Sequence, residues 1–215
     1  MSETSPSIFG RLDETRAKML FKDFQRRPYA KNSFVINVGD TSDCFYLIQA
    51  GKIKIVILDE EGKEVILSIF GPGDHFGEFS LIDGQPRSAS AVTMEESTLL
   101  VVSKERFREC LAENPEIAER VMVSLTQRLR DADRKIEGLA LHDVYSRLAR
   151  TLSELSLEQD GKYVLQQRLT HQDLANIVGA SREMITRILR DLTVGGYISI
   201  ENREITLLKK LPSSW

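Results

Sequence analysis

The sequence predicts an α+β fold with three parts: an N-terminal β-barrel of the jelly-roll type, a long helix, and a C-terminal winged helix-turn-helix. Short apolar runs separated by turn residues occupy residues 32–103. A long stretch with helical periodicity follows them. Near the end, two short amphipathic patterns precede two strand-like runs. We expect the three parts to cover residues 1–114, 115–142 and 143–215.

The composition is that of a globular protein, with 41% hydrophobic and 28% charged residues among 215. No run of about 18 apolar residues occurs, and the first residues lack the basic and apolar regions of a secretory signal. We therefore expect a cytoplasmic protein that does not bind a membrane. The two cysteines, Cys44 and Cys110, are too few for a cysteine-only metal site, so we expect reduced thiols and no metal.

The net charge of −3 is distributed unevenly along the chain. From Asp143 onward there are 10 Lys and Arg against 9 Asp and Glu, whereas the preceding residues have 19 against 23. This contrast permits nucleic-acid binding by the C-terminal part without demonstrating it, so the arrangement of the basic residues has to decide.

Six runs rich in apolar, β-branched and aromatic residues predict the strands of the barrel. Gly- and Asp-rich turn signals separate them, which indicates a β-barrel or sandwich. The predicted strands are Ser33–Val38, Phe45–Gln49, Lys52–Leu58, Val65–Phe70, Ala89–Thr93 and Ser97–Val102.

The residues from Pro115 to about Leu141 predict one long helix that breaks between Gly138 and His142. Its apolar residues recur at alternating steps of three and four, as in a coiled-coil seam. The helix is about 40 Å long, which is awkward to cover with one small barrel. The seam packs either on the chain's own barrel or on the same helix of a second chain, and we favour a parallel homodimer. The seam residues are Met122, Leu125, Leu129, Ala132, Ile136 and Leu139.

The C-terminal part has the start and stop signals of a helix-turn-helix. Thr170 is a predicted helix N-cap, Gly179 supplies the turn, and Ser181 is the N-cap of a second helix that ends near Thr193. A hairpin after this helix would form a wing. We expect the second helix to bury one face, comprising Met184, Ile185, Ile188, Leu189 and Leu192.

The other face of the second helix carries side chains suited to reading DNA. In the major groove, Arg binds the O6 and N7 atoms of guanine, and Glu accepts a hydrogen bond from cytosine N4. An ordinary solvated helix face is the alternative, and the cap, the turn and the wing argue against it. The expected DNA-binding residues are Thr170, Gln172, Ser181, Arg182, Glu183, Thr186, Arg187 and Arg190.

The stretch LTHQDLANIVGASREMITRILRDLTVGGYISIENREITLL resembles the winged helix-turn-helix of the cyclic-AMP receptor protein/FNR family of bacterial transcription regulators. The Ser-Arg-Glu sequence with a further Arg four positions after the Glu resembles the receptor-protein branch. The resemblance implies that Arg182, Glu183 and Arg187 read a TGTGA-like half-site of a palindrome bound by a homodimer. It also implies RNA polymerase as a partner.

The stretch GEFSLIDGQPRSASA resembles the phosphate-binding cassette of cyclic-nucleotide-binding domains, and the family resemblance runs from about Asp23 to Leu208. Arg87 can meet two phosphate oxygens with its planar fork, and Glu78 can accept a hydrogen bond from a ribose hydroxyl. A core ion pair between Glu78 and Arg87 is the alternative, above all in the empty state. The resemblance implies a ligand site of Gly77, Glu78, Phe79, Arg87 and Ser88.

We expect residues of the long helix to select the base of the nucleotide. Where the cyclic-AMP receptor protein has a Thr-Ser pair against adenine, this chain has Ala132 and Asp133. Ala132 lacks a hydroxyl, whereas the Asp133 carboxylate can accept from the adenine amino group or from guanine N1 and N2. We favour cyclic AMP as the effector because the Gly-Glu and Arg-Ser elements of the cassette fit a single cyclic phosphate, and we keep cyclic GMP and cyclic di-GMP as alternatives. We expect the ligand to act through a hinge at Asp143 and residues 139–142.

Other chemistries receive little support. The oxygen-sensing branch of the family needs four cysteines, and the haem branch needs an axial ligand such as His. We expect His75, beside the cassette, to be solvent-facing or hydrogen-bonded. The sequence shows no P-loop and no nucleophile–base pair at a known spacing, so we expect no enzyme. A DNA-binding protein with a vestigial pocket is the remaining rival.

Overall fold

The structure is a computed structural model that describes residues 14–212 apart from residues 42, 160 and 166, with side chains from residue 17 onward. The chain divides into two compact units, with the boundary after Leu129. The finer division at residues 114 and 142 stays a prediction.

The first unit is a sandwich of two four-stranded antiparallel sheets, ordered β1-β8-β3-β6 and β2-β7-β4-β5. All six predicted strands are present, so the predicted jelly-roll class is confirmed. The elements are α1 (Glu14–Phe21), β1 (Gln25–Tyr29), β2 (Phe34–Ile36), β3 (Cys44–Ala50), β4 (Ile53–Leu58), β5 (Glu64–Phe70), β6 (His75–Phe76), α2 (Phe79–Asp83), β7 (Ser90–Thr93), β8 (Ser97–Ser103), α3 (Lys104–Glu113) and α4 (Pro115–Leu141).

Strand β3 is buried on both faces, which explains its unbroken apolar sequence. Successive side chains of a strand point to opposite faces. Tyr46 and Ile48 therefore pack between the sheets, whereas Phe45 and Leu47 pack under the helices. The core between the sheets comprises Ile36, Tyr46, Ile48, Ile53, Phe76, Ala91, Leu99 and Val101. The core under the helices comprises Ala17, Phe21, Phe45, Leu47, Leu81, Leu100, Val102, Phe107, Cys110, Ile117 and Val121.

Helix α4 is continuous over 27 residues and passes through Gly138 to end at Leu141. Most of the predicted seam is exposed: Met122, Leu129, Ile136 and Leu139 have 59–65% of their surface accessible. Leu125 is the exception, because it packs against the core under the helices. An apolar stripe on a solvated helix is the surface that a second helix would cover.

The second unit continues from Arg130 and contains a four-stranded antiparallel sheet ordered β11-β12-β10-β9. Its predicted hairpin, β11–β12, is confirmed. Ser156–Gln159 and Lys162–Leu165 pair as a second hairpin, which the sequence analysis missed because its side chains are mostly exposed. The elements are α5 (Val144–Leu155), β9 (Ser156–Gln159), β10 (Lys162–Leu165), α6 (His171–Val178), α7 (Arg182–Val194), β11 (Ile198–Glu201) and β12 (Glu204–Leu207).

The helix-turn-helix forms where its capping signals predict. Thr170 and Asp173 make a reciprocal capping box at the start of α6. Gly179 ends that helix in the left-handed conformation, with φ +67°, and Ser181 is the N-cap of α7. Among the helices that the structure describes, none is long and apolar enough to span a membrane.

Candidate functional site

Arg87 lies buried at the start of the residues that lead into β7, with 4% of its surface accessible. Its guanidinium donates hydrogen bonds to the carbonyl oxygens of Gly77, at 2.5 Å, and Cys44, at 2.6 Å. Its backbone N–H donates to the carbonyl of Asp40 at 2.9 Å. Burial lowers the pKa of Arg87. Carbonyl groups of β3 and of the residues before α2 therefore hold the planar guanidinium in place.

Gly77 allows this arrangement because it has no side chain. Its φ of +87° lies in the left-handed region, which favours glycine. A Cβ atom at this position would lie 2.9 Å from Nη1 of Arg87 and 3.2 Å from the Cys44 carbonyl oxygen. Any larger residue would displace the guanidinium from its acceptors.

Glu78 is almost completely buried, with 1% of its surface accessible, and is the N-cap residue of α2. The sequence left open an ion pair between Glu78 and Arg87. In the structure, the Glu78 carboxylate instead pairs with Arg128 of α4, with 2.6 Å between Oε1 and Nη1. Burial raises the pKa of Glu78, and the charge of Arg128 acts in the opposite direction. The carboxylate thus has its own cation, separate from the arginine of the cassette.

Arg128 is the residue of this site that the sequence analysis missed. It donates a second hydrogen bond, from Nη2 to the His75 carbonyl oxygen at 2.7 Å, and its guanidinium lies 4.5 Å from the centre of the Phe70 ring. In the sequence it belongs to the charged flank of a helical seam, 50 positions from Glu78. The one available signal was that a buried carboxylate needs a cation.

His75 lies in β6 with 2% of its surface accessible, so the prediction of a solvent-facing ring is wrong and its alternative, a hydrogen-bonded ring, is confirmed. Its Nε2 atom is 3.3 Å from Nη2 of Arg128. Burial lowers the pKa of His75 well below its ordinary value, and the charge of Arg128 adds to this effect.

The other predicted ligand residues lie at the surface. Ser88 is exposed, and Phe79 has 46% of its surface accessible. Ala132 and Asp133 are exposed on the part of α4 that belongs to the second unit. The structure thus brings together Gly77, Glu78 and Arg87 from the predicted set, and a ligand role for the other four residues stays a prediction.

Helix α7 presents one polar face and one apolar face, as predicted. Its buried residues are Ile185, Ile188, Leu189 and Leu192, and Met184 is half-buried rather than buried. The exposed face forms one open surface, which is lined by Arg182, Glu183, Thr186, Arg187 and Arg190.

Three of the predicted DNA-binding side chains also hold the helix-turn-helix together. The Thr170 hydroxyl accepts from the Asp173 N–H at 3.1 Å and donates to the Asp173 carboxylate at 2.7 Å. Ser181 accepts from the Met184 N–H at 3.2 Å, and Gln172 donates to Asn176 at 2.7 Å. Each of these residues therefore has a structural role, whatever its role towards DNA.

Arg147 of α5 links the end of α4 to the turn between α6 and α7. Its guanidinium donates to the carbonyl oxygens of His142, at 2.7 Å, and Val178, at 2.8 Å, with a longer bond of 3.4 Å to Gly179. Asp143, the predicted hinge residue, is the N-cap of α5 and accepts from the Ser146 N–H at 2.8 Å. A change at the end of α4 therefore has a direct route to the helix-turn-helix.

Comparison with known proteins shows the family to which the chain belongs. Residues 26–114 match the cyclic nucleotide-binding domain, and residues 146–211 match the Crp-like helix-turn-helix domain. The chain is 31% identical to the CRP-like cAMP-activated global transcriptional regulator of Mycobacterium tuberculosis (strain H37Rv), over 93% of this chain and 91% of that protein. The chain belongs to the CRP/FNR family of transcription regulators. It is therefore a DNA-binding transcription regulator with a cyclic-nucleotide-binding domain, and not an enzyme.

Two further proteins show the range of the similarity. The chain is 34% identical to the cAMP-activated global transcriptional regulator CRP of Escherichia coli O157:H7, over 83% of this chain and 87% of that one. Among solved structures, the c-di-GMP responsive global regulator CLP of Xanthomonas campestris is 30% identical, with a TM-score of 0.78 over 92% of this chain and all of the other.

Proposed function

We propose that this CRP/FNR regulator is a homodimer controlled by cyclic AMP, which binds at Arg87 and Glu78 and raises the affinity for a DNA palindrome with TGTGA-like half-sites. The observation that carries the proposal is the pair of buried, oppositely charged side chains in one cassette. Each is held by its own partners, Arg87 by two carbonyls and Glu78 by Arg128. They can therefore serve as two separate contacts for one ligand.

Arg87 supplies the phosphate contact. A cyclic phosphate carries one negative charge, and a planar guanidinium can donate to two of its oxygens. The two carbonyl bonds fix the guanidinium before the ligand arrives, which reduces the entropy lost on binding. Because the site is buried, water screens the attraction between the guanidinium and the phosphate less than it would at the surface.

Glu78 supplies the sugar contact. Its Oε1 atom is occupied by Arg128, whereas Oε2 is buried and accepts no hydrogen bond from the part of the chain that the structure describes. A buried acceptor without a donor is costly, and a ribose 2′-hydroxyl would supply that donor. A 2′-deoxy analogue lacks this hydroxyl, so it should bind more weakly than the natural nucleotide.

Cyclic AMP is the favoured effector because several relatives at 31–34% identity are named as cAMP-activated. A guanine nucleotide is the second candidate, and two observations favour it. Asp133 offers a carboxylate that matches guanine N1 and N2, and the structurally similar CLP is described as c-di-GMP responsive. The first experiment has to separate these two candidates.

The DNA half of the proposal rests on α7 and on the seam of α4. Arg182 and Glu183 lie in the first turn of α7, and Arg187 follows on the same exposed face. A dimer through the exposed seam would present two such helices to successive major grooves, about 34 Å apart. We also propose RNA polymerase as the partner of the DNA-bound dimer.

The test is calorimetric titration of the full chain with cyclic AMP, cyclic GMP and cyclic di-GMP. We expect cyclic AMP to bind the wild type tightly. Arg87→Gln should bind at least tenfold more weakly, because a hydrogen bond to a charged group is worth about 1.5–3 kcal/mol. Arg26→Gln, which changes an exposed arginine of the same domain, should bind normally.

The possible results separate the candidates. Binding of cyclic di-GMP alone would replace cyclic AMP with the second candidate. Equal cyclic AMP affinity of the wild type and a folded Arg87→Gln variant would contradict the pocket. Binding of none of the three nucleotides would leave the DNA-binding regulator and remove the effector.

A further inference from the structure

We infer that His75 is a positioning residue of this pocket: as a neutral hydrogen-bond acceptor it holds Arg128 against Glu78, and its protonation weakens nucleotide binding. The inference rests on the proposed function, because it concerns the pocket in which Glu78 meets the nucleotide. His75 itself need not touch the ligand, since it acts through Arg128.

The geometry fixes the protonation state of the ring. Nη2 of Arg128 lies 3.3 Å from Nε2 of His75 and donates to the carbonyl oxygen of the same residue at 2.7 Å. A guanidinium only donates hydrogen bonds and stays charged in proteins. The contact therefore requires a lone pair on Nε2, which is the neutral imidazole with its proton on Nδ1.

Protonation of His75 would reverse this arrangement. Nε2 would become a donor that faces another donor, and a second positive charge would lie 3.3 Å from the guanidinium. The other oxygen of Glu78, Oε2, lies 4.0 Å from Nε2, so the carboxylate would exchange Arg128 for the imidazolium. The oxygen proposed for the ribose would then be occupied.

Two charged side chains lie beside this imidazole, Arg128 of α4 and Glu78, the N-cap residue of α2. A third charged residue, Asp74, precedes His75 in the chain. The Asp74 carboxylate already accepts from the Gly71 N–H at 2.8 Å, and burial raises its pKa. On another side the Phe45 ring lies 5.6 Å away. Burial is the larger cause of the lowered pKa of His75, and the positive charge of Arg128 adds to it.

The lowered pKa of His75 sets the direction of the pH effect. The ring stays neutral from pH 8 down through its ordinary pKa of about 6.5. It takes up a proton only in more acidic solution, where Arg128 is expelled. Nucleotide affinity should therefore not change with pH above about pH 6.5, and it should fall in more acidic solution. The size of this fall should depend on whether residue 75 is a histidine.

The experiment compares His75→Gln with His75→Phe in calorimetric titrations with cyclic AMP between pH 8 and pH 5. Gln keeps a neutral acceptor that cannot titrate, whereas Phe keeps the ring without an acceptor. At pH 8 we expect Gln within about twofold of the wild type and Phe about tenfold weaker. Below pH 6.5 the wild type should lose more affinity than Gln does. His171→Gln, a histidine of the other unit, should follow the wild type.

Two results would overturn the inference: superimposable pH profiles for the wild type and His75→Gln, or wild-type affinity in His75→Phe. If no nucleotide binds, a measurement on the free protein still tests the inference. The chain has three histidines, so nitrogen-15 NMR at pH 7 can assign His75 by its absence from the Gln variant. We expect an unprotonated Nε2, and a protonated Nε2 would contradict the inference whatever the fate of the proposed function.

Discussion

A side chain on Gly77 would collide with the guanidinium of Arg87. One added methyl group therefore tests the proposed nucleotide site. Gly77→Ala should lose nucleotide affinity and stability, because the added methyl would lie 2.9 Å from Nη1. The left-handed backbone adds about 1–2 kcal/mol of strain. Urea denaturation and nucleotide titration measure the two effects.

Gly62→Ala is the matched control for this substitution. Gly62 has a similar φ, +78°, and apart from its neighbours in the chain no described heavy atom lies within 4 Å of the position that a Cβ would take. The Gly62→Ala variant should lose stability through backbone strain but keep its nucleotide affinity. Equal nucleotide affinity in the two alanine variants would show that the contact with Arg87 is unimportant.

The proposed nucleotide site was predictable only in part from local sequence. Gly77, Glu78 and Arg87 lie within 11 consecutive positions, and the order of their residue types indicates the cassette. Arg128 was not predictable from spacing, because the fold alone brings it to Glu78. The cassette sequence shows the two charges but not that each has a separate partner.

The proposed role of α7 in reading DNA bases leads to a prediction. Arg187→Ala should lose about 1–3 kcal/mol of DNA affinity and relax the preference at one base position. The physical reason is that a bidentate arginine contact discriminates one guanine from other bases. Binding to a set of single-base variants of a TGTGA palindrome measures this directly.

Arg150→Ala is the control for a half-buried arginine in the same unit, since its side chain pairs with Glu154 on α5. It should bind all sites as the wild type does. An equal loss of affinity for every sequence in Arg187→Ala would make Arg187 a phosphate contact and remove it from the base-reading set.

The seam of α4 makes a prediction about assembly. Leu129 has 63% of its surface accessible within one chain, so a charge there costs little in a monomer and much in a dimer interface. Leu129→Asp should give monomers in sedimentation. Arg134→Asp lies about 140° around the helix and should leave the dimer intact. A dimeric Leu129→Asp variant would place the interface elsewhere.

The elements differ in how well their sequence predicts them. Helix α4 and the capped helices α6 and α7 were predictable because periodicity and N-caps are local signals. Strand β1 was not, because its sequence Gln-Arg-Arg-Pro-Tyr is polar and mostly exposed. Strand β6 has only two residues, which is too short for any pattern.

Across the whole molecule, α4 is the element that joins sensing to DNA binding in this account. It contributes Arg128 to the pocket, and beyond Leu129 it leads to residues that Arg147 ties to the helix-turn-helix. A ligand that changes the Glu78–Arg128 pair therefore acts on the helix that carries the signal. Moving a regulator from mostly inactive to mostly active takes about 5 kcal/mol of differential ligand affinity.

The most direct test of this coupling is fluorescence anisotropy of a labelled TGTGA palindrome, titrated with the full chain in the presence and absence of cyclic AMP. The account predicts that saturating cyclic AMP tightens DNA binding of the wild type by about tenfold or more, as is typical of allosteric coupling. It predicts no change in Arg87→Gln. Equal DNA affinity of the wild type with and without each of the three cyclic nucleotides would contradict it.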